Sequence, residues 1–150
     1  MANARRIASD YKLITTQPPD GVRLISQKSM LEWEVEIDGP KDTIWENGHF
    51  RLSVTFPTEY PFKAPSVRFI TPLYHPNVST TGGICLDLLI DKWLPSYNVA
   101  SLLVSIRSFL DDPNPEHGLN SDALDMFRRN MDGYKRTVRQ YINSYASGTQ

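Results

Sequence analysis

The chain has 150 residues, 40% hydrophobic and 22% charged, with a formal net charge of −1 and a pI near 6.3. That length reads as one domain, able to bury roughly 68–70% of its unfolded surface without staples. The near-neutral charge argues against a dedicated nucleic-acid binder. One cysteine excludes an internal disulfide, and there is no apolar run of about 18 residues to cross a membrane.

"MANARRIASDYKLITT" lacks the continuous apolar segment of a signal peptide, and "YASGTQ" carries no prenylation box. A lone thiol without a leader points to a reducing compartment, so the expected location is cytoplasmic, nuclear or both. In the first stretch Ile7, Tyr11 and Ile14 fall at i, i+4, i+7, predicting a short amphipathic helix that ends before "QPPDG". Arg5, Arg6 and Lys12 occupy its other face.

The period then changes to two. "GVRLIS" (21–26), "LEWEVEID" with Trp33, Val35 and Ile37, "HFRLSVTF" with Phe50, Leu52, Val54 and Phe56, and "SVRFI" with Val67 and Phe69 read as four strands. No helix separates them and the connections look short, with a turn at Asn47-Gly48, so an antiparallel meander is expected. Glu32, Glu34 and Glu36 form an acidic outer face, expected to be solvation only.

Helical spacing returns after residue 97. Leu102, Leu103, Ile106, Phe109 and Leu110 make one apolar stripe behind an Asn98 cap. A further helix is predicted after Asn120 or Ser121 and a last one after Asp132, with Tyr134, Val138, Tyr141, Ile142 and Tyr145 on its packing face. The order is an N-terminal helix, a four-stranded antiparallel meander, a long loop and three helices. That is an α+β domain, 1–150, with helices against one sheet face.

Residues 71–97 show neither period, and structureless loops beyond about 12–15 residues are usually functional. This one contains "HPNVSTTGGICLDLL", with His75, Asn77, Asp87 and the only cysteine, Cys85. Three readings of the thiol stand on residue chemistry alone. It is a small buried hydrophobe, a metal ligand or a nucleophile. A metal is not expected, because His49, His75, His117 and Cys85 are scattered without a CxxC or HxxxH pair. A Cys-His hydrolase stays open, since its partners need be neighbours only in space.

His75-Pro76-Asn77 followed by Gly82-Gly83-Ile84-Cys85-Leu86 resembles the catalytic core of ubiquitin-conjugating (E2) enzymes. "FPTEYPFKAPSVRF", "WLPSYNV" and "LDDPNPEHGLN" are similar to the family's Tyr-Pro-Phe-x-x-Pro, Trp-x-Pro and Pro-Asn-Pro segments, so the likeness spans the chain. It implies a thioester of ubiquitin on Cys85, received from an activating enzyme (E1). The modifier then passes to a substrate lysine with a RING-type ligase (E3), or to the cysteine of a HECT-type ligase. Asn77 matches the family's oxyanion donor, with loop support as its other reading. Asp87 matches the acid that orients or desolvates the lysine. His75, Pro76 and Leu119 match structural support of the site. His117 stands at a gate where many relatives carry Asp or Ser, which implies slower or pH-dependent lysine transfer, or a preference for cysteine-based ligases. Arg5 and Arg6 match cations that dock E1 and E3, while Phe62, Pro95 and Ser96 match ligase-binding loops. Ser9 and Leu94 depart from the common pattern. The resemblance implies a monomer with no cofactor of its own, since E1 uses the ATP and magnesium. Nucleic acid and membranes are not expected partners. The alternatives are an E2 for another modifier such as NEDD8, or a catalytically idle E2-like binding module.

Overall fold

The computed structural model describes residues 2–148. Helix α1 (Ala2–Thr16) leads into strands β1 (Val22–Ser29), β2 (Glu32–Asp38), β3 (His49–Thr55) and β4 (Ser66–Phe69). They pair antiparallel in the order β1-β2-β3-β4, the predicted meander. After the long loop come α2 (Asp87–Ile90), α3 (Val99–Phe109), α4 (Ser121–Arg129) and α5 (Met131–Tyr145).

Alternation decides which sheet face is buried. Trp33, Val35 and Ile37 on β2 lie opposite Val54, Leu52 and Phe50 on β3, and all six are fully buried. Each such side chain contributes about 1.5–3 kcal/mol through removal from water. α1 lays Ile7 and Ile14 onto this layer, with Tyr11 edge-on to Trp33 at 5.8 Å. α3 adds Leu102, Leu103 and Ile106, all buried. Its first turn is closed by a capping box, in which Asn98 accepts from the Ser101 N–H while the Ser101 hydroxyl reaches back to the Asn98 N–H.

Several expectations are corrected. The long loop is not wholly irregular, because Asp87–Ile90 form one helical turn, too short to show a period. α5 begins at Met131 rather than after Asp132, because the Asn130 side chain accepts from the Gly133 N–H and caps it. Tyr145 keeps its place in the tyrosine stripe, 5.6 Å from Tyr141 between ring centres, but is 56% exposed rather than packed. The β2–β3 connection (39–48) is long and folds inward to bury Trp45 against Phe50. Gly39 permits this, since a Cβ there would sit 1.7 Å from the Trp45 carbonyl oxygen.

The acidic outer face is more than solvation. Arg51 bridges Glu34 and Glu36 at 2.8 and 2.7 Å, and Arg23 holds Asp38 at 2.6 Å and also pairs with Glu36. His49 Nδ1 lies 2.7 Å from the far oxygen of Asp38. Single exposed pairs contribute little, but this ladder runs across three strands and fixes their register.

Candidate active site

The turn before the thiol is held from below. The His75 ring is fully buried and packs tilted against Phe109, with ring centres 4.7 Å apart. Its Nδ1 accepts the Asn77 N–H at 3.0 Å, so Nε2 carries the proton and donates to the Phe109 carbonyl at 3.3 Å. Burial pushes its pKa down to about 4, keeping the ring neutral at neutral pH. It is a support and faces no solvent. The Pro76 carbonyl accepts from Leu119 N–H (2.8 Å) and Asn120 N–H (3.2 Å), tying this turn to the start of α4. Leu119 contributes through that amide, while its side chain is 46% exposed.

Asn77 is fully buried and its amide is fully engaged. Nδ2 donates to the carbonyls of Asn114 (2.8 Å) and His117, and Oδ1 accepts the Asn114 N–H at 2.7 Å. One side chain therefore shapes the whole 114–117 segment. The Asn77 carbonyl accepts the Cys85 N–H at 2.9 Å, so the same residue also seats the thiol-bearing segment. Gly82 makes the return possible. Its φ is +95°, and a Cβ there would lie 2.1 Å from the Phe69 carbonyl oxygen.

Cys85 is half-buried at a cleft of about 720 Å³. Asp87, Asp91 and Lys92 line one side, Ser105, Ser108 and Asp112 another, and Asn114 and His117 a third. The exposed carboxylate of Asp87 opens the first turn of α2, and the ring of His117 is exposed. The structure thus brings Cys85, Asp87 and His117 to one cleft and places Asn77, His75 and Pro76 behind it. A half-buried free thiol with room before it and an ordered polar wall behind it has a geometry that suits acyl transfer.

The residues matched to partner docking form a separate surface. Arg5 and the loop residues Phe62 (75% exposed), Leu94 (50%), Pro95 and Ser96 are exposed. The two loops meet where Trp93 Nε1 donates to the Pro61 carbonyl at 2.8 Å. Arg6 is turned inward and bonded within the chain. Sequence reasoning missed Asn114, whose place in "PNP" was its only signal, and Arg128, which donates to the Pro115 carbonyl from α4. Glu36, Asp38 and His49 lie close enough to share a metal ion, but Arg23 and Arg51 already hold both carboxylates and would repel a cation. Among the described residues no helix is long and apolar enough to cross a membrane.

The chain thus combines a four-stranded meander backed by helices with one thiol whose backbone is hydrogen-bonded to a His-Pro-Asn turn. The family described as ubiquitin-conjugating enzyme matches residues 6–142. "Ubiquitin-conjugating enzyme E2 1" of Caenorhabditis elegans is 43% identical over 139 residues, which is 92% of this chain and 72% of that protein. "Ubiquitin-conjugating enzyme E2 2" of Mycosarcoma maydis is 40% identical over 141 residues, or 93% and 76% of the two chains. The chain belongs to the ubiquitin-conjugating enzyme (E2) family and is a transferase of that class.

Proposed function

We propose that Cys85 carries ubiquitin as a thioester. In the first step its thiolate attacks the carbonyl carbon of ubiquitin held on an E1 cysteine. The new S–C bond forms as the old one breaks, and the E1 thiolate departs. In the second step a neutral lysine amine attacks the same carbon, the Cys85 S–C bond breaks, and the amine proton leaves as the amide forms. With a HECT-type ligase, the attacking group is a ligase thiolate instead. ATP and magnesium act on E1, upstream of this chain, which needs no cofactor of its own. The acting species is a monomer.

The carrying observation is the half-buried thiol opening on a cleft whose rim holds Asp87 and whose back wall is ordered by Asn77. Asp87 receives the incoming ammonium and orients it as it sheds water and a proton. Asn77 shapes the 114–117 loop in the resting site. To donate to the oxyanion it must release the Asn114 or His117 carbonyl, so loop support is its first role. Arg5, Phe62, Leu94, Pro95 and Ser96 form the surface for E1 and RING- or HECT-type ligases.

The test is incubation with E1, Mg-ATP and ubiquitin, followed by non-reducing gels with and without thiol. A thiol-sensitive adduct that Cys85→Ala abolishes is expected. Its absence, with an E1 that charges a control protein, overturns the reading.

A further inference from the structure

Arg6 and its surroundings differ from what its family match implies. A docking cation should face outward, yet this guanidinium is 26% exposed and faces the protein's own backbone. Nε donates to Asp10 Oδ1 at 3.2 Å, Nη1 to the Pro95 carbonyl at 2.9 Å, and Nη2 to the Tyr97 carbonyl. The guanidinium carbon lies 5.6 Å above the centre of the Tyr60 ring. Asp10 is 4% exposed, and a carboxylate so buried requires partners. It has three, because the Tyr60 hydroxyl also donates to it and the Val99 N–H, in the first turn of α3, approaches at 3.4 Å.

These bonds converge on the two partner-facing loops. Tyr60 belongs to the loop that exposes Phe62, and Pro95 and Tyr97 belong to the loop that exposes Leu94 and Ser96. Asp10 grips the first and Arg6 the second, from adjacent turns of α1. For side chains on separate loops to act as one surface, the loops must be fixed relative to each other before a partner arrives. Otherwise binding bears the cost of ordering them.

We infer that Arg6 and Asp10 are positioning residues whose ion pair locks both loops to α1 and presets the Phe62–Leu94–Pro95–Ser96 surface. The inference rests on the reading of that surface as the ligase-docking face. It assigns Arg6 an internal role that only a planar, multi-donor cation fills. Lysine, a point charge on a flexible stem, cannot serve Asp10 and two carbonyls together.

Amide hydrogen exchange on the intact chain tests it, comparing wild type with R6A, R6K, D10N and R6A/D10N. The reporters are Phe62 and Lys63, whose amides bond to the Glu59 carbonyl, and Tyr97, whose amide bonds to Leu94. R6A, R6K and D10N are each expected to speed exchange at all three by about tenfold. The double variant should go no faster than the faster single one, because both residues act in one network. Overturning results are unmoved Phe62 and Lys63 amides in R6A, R6K behaving as wild type, or an equal rise at Val35 and Leu52 in β2 and β3, which would mark global loosening. A second readout is the KM for E1 against kcat in ubiquitin charging. A directly docking charge predicts a raised KM in R6A that R6K restores, whereas a positioning role moves R6A and R6K together. The exchange arm uses no ubiquitin, so its failure is distinct from a failure to form the thioester.

Discussion

The two walls around Cys85 are built on opposite principles. Behind the thiol, His75 and Asn77 are fully buried, and the polar atoms of both side chains are hydrogen-bonded. In front of it, the Asp87 and His117 side chains are exposed and have no partner among the described residues. Rigidity is thus concentrated where it fixes the sulfur and the 114–117 loop. The open side is left for an incoming group to complete, which fits the proposed transfer to an acceptor lysine.

The largest expected break in that contrast comes from Asn77→Ala. It leaves the part-buried Asn114 N–H without its partner and frees two carbonyls, so stability should fall by about 1–2 kcal/mol in denaturant titrations. Lysine discharge from the charged protein should fall about 100-fold or more, through loss of loop order and of any oxyanion donor. A variant as stable as wild type would show that the back wall is not preset.

His75 sharpens the contrast through pH. Its folded pKa of about 4 lies below the ordinary value near 6.5, so the unfolded chain takes up the proton first. The stabilisation is complete above about pH 6.5 and declines as pH falls toward 4, by about 3 kcal/mol in all. Urea midpoints measured between pH 7.5 and 4.5 should show this decline. His75→Gln, which cannot titrate, should be less stable at neutral pH and have a flatter profile.

On the open wall, Asp87→Ala should behave in the reverse manner. Lysine discharge should slow by about tenfold or more, while stability stays within about 0.5 kcal/mol, because the carboxylate is exposed and unbonded. A matching loss of stability would place Asp87 with the scaffold and erase the distinction between the walls.

The same division governs what was legible in the sequence. Strands announced themselves because one face is dry and the other wet, and α3 because its stripe follows an Asn98 cap. Cys85 stood out because its loop lacked a period in an otherwise regular chain. α2 stayed hidden because one turn of helix has no repeat to read. The glutamates on β2 looked merely solvated because their arginines lie on β1 and β3, and only strand register reveals such pairing. Leu119 acts through its amide, which no side-chain pattern encodes. Arg6 resembled a docking cation because sequence gives a charge but not its direction. The Asp10 four residues later was the available hint.

The smallest effect is expected at His117, and the structure makes it a clean one to measure. Asn77 holds this residue by its backbone carbonyl, so exchanging the exposed side chain leaves the loop's anchor in place. An imidazole carries no negative charge with which to attract a lysine ammonium. His117→Asp puts a carboxylate on the same cleft as Asp87 and should raise lysine discharge near neutral pH by about threefold, a Coulombic gain muted by solvent. Single-turnover discharge to free lysine at neutral pH reads the effect. An unchanged rate would make His117 a solvated loop residue and leave Asp87 as the acid that addresses the acceptor.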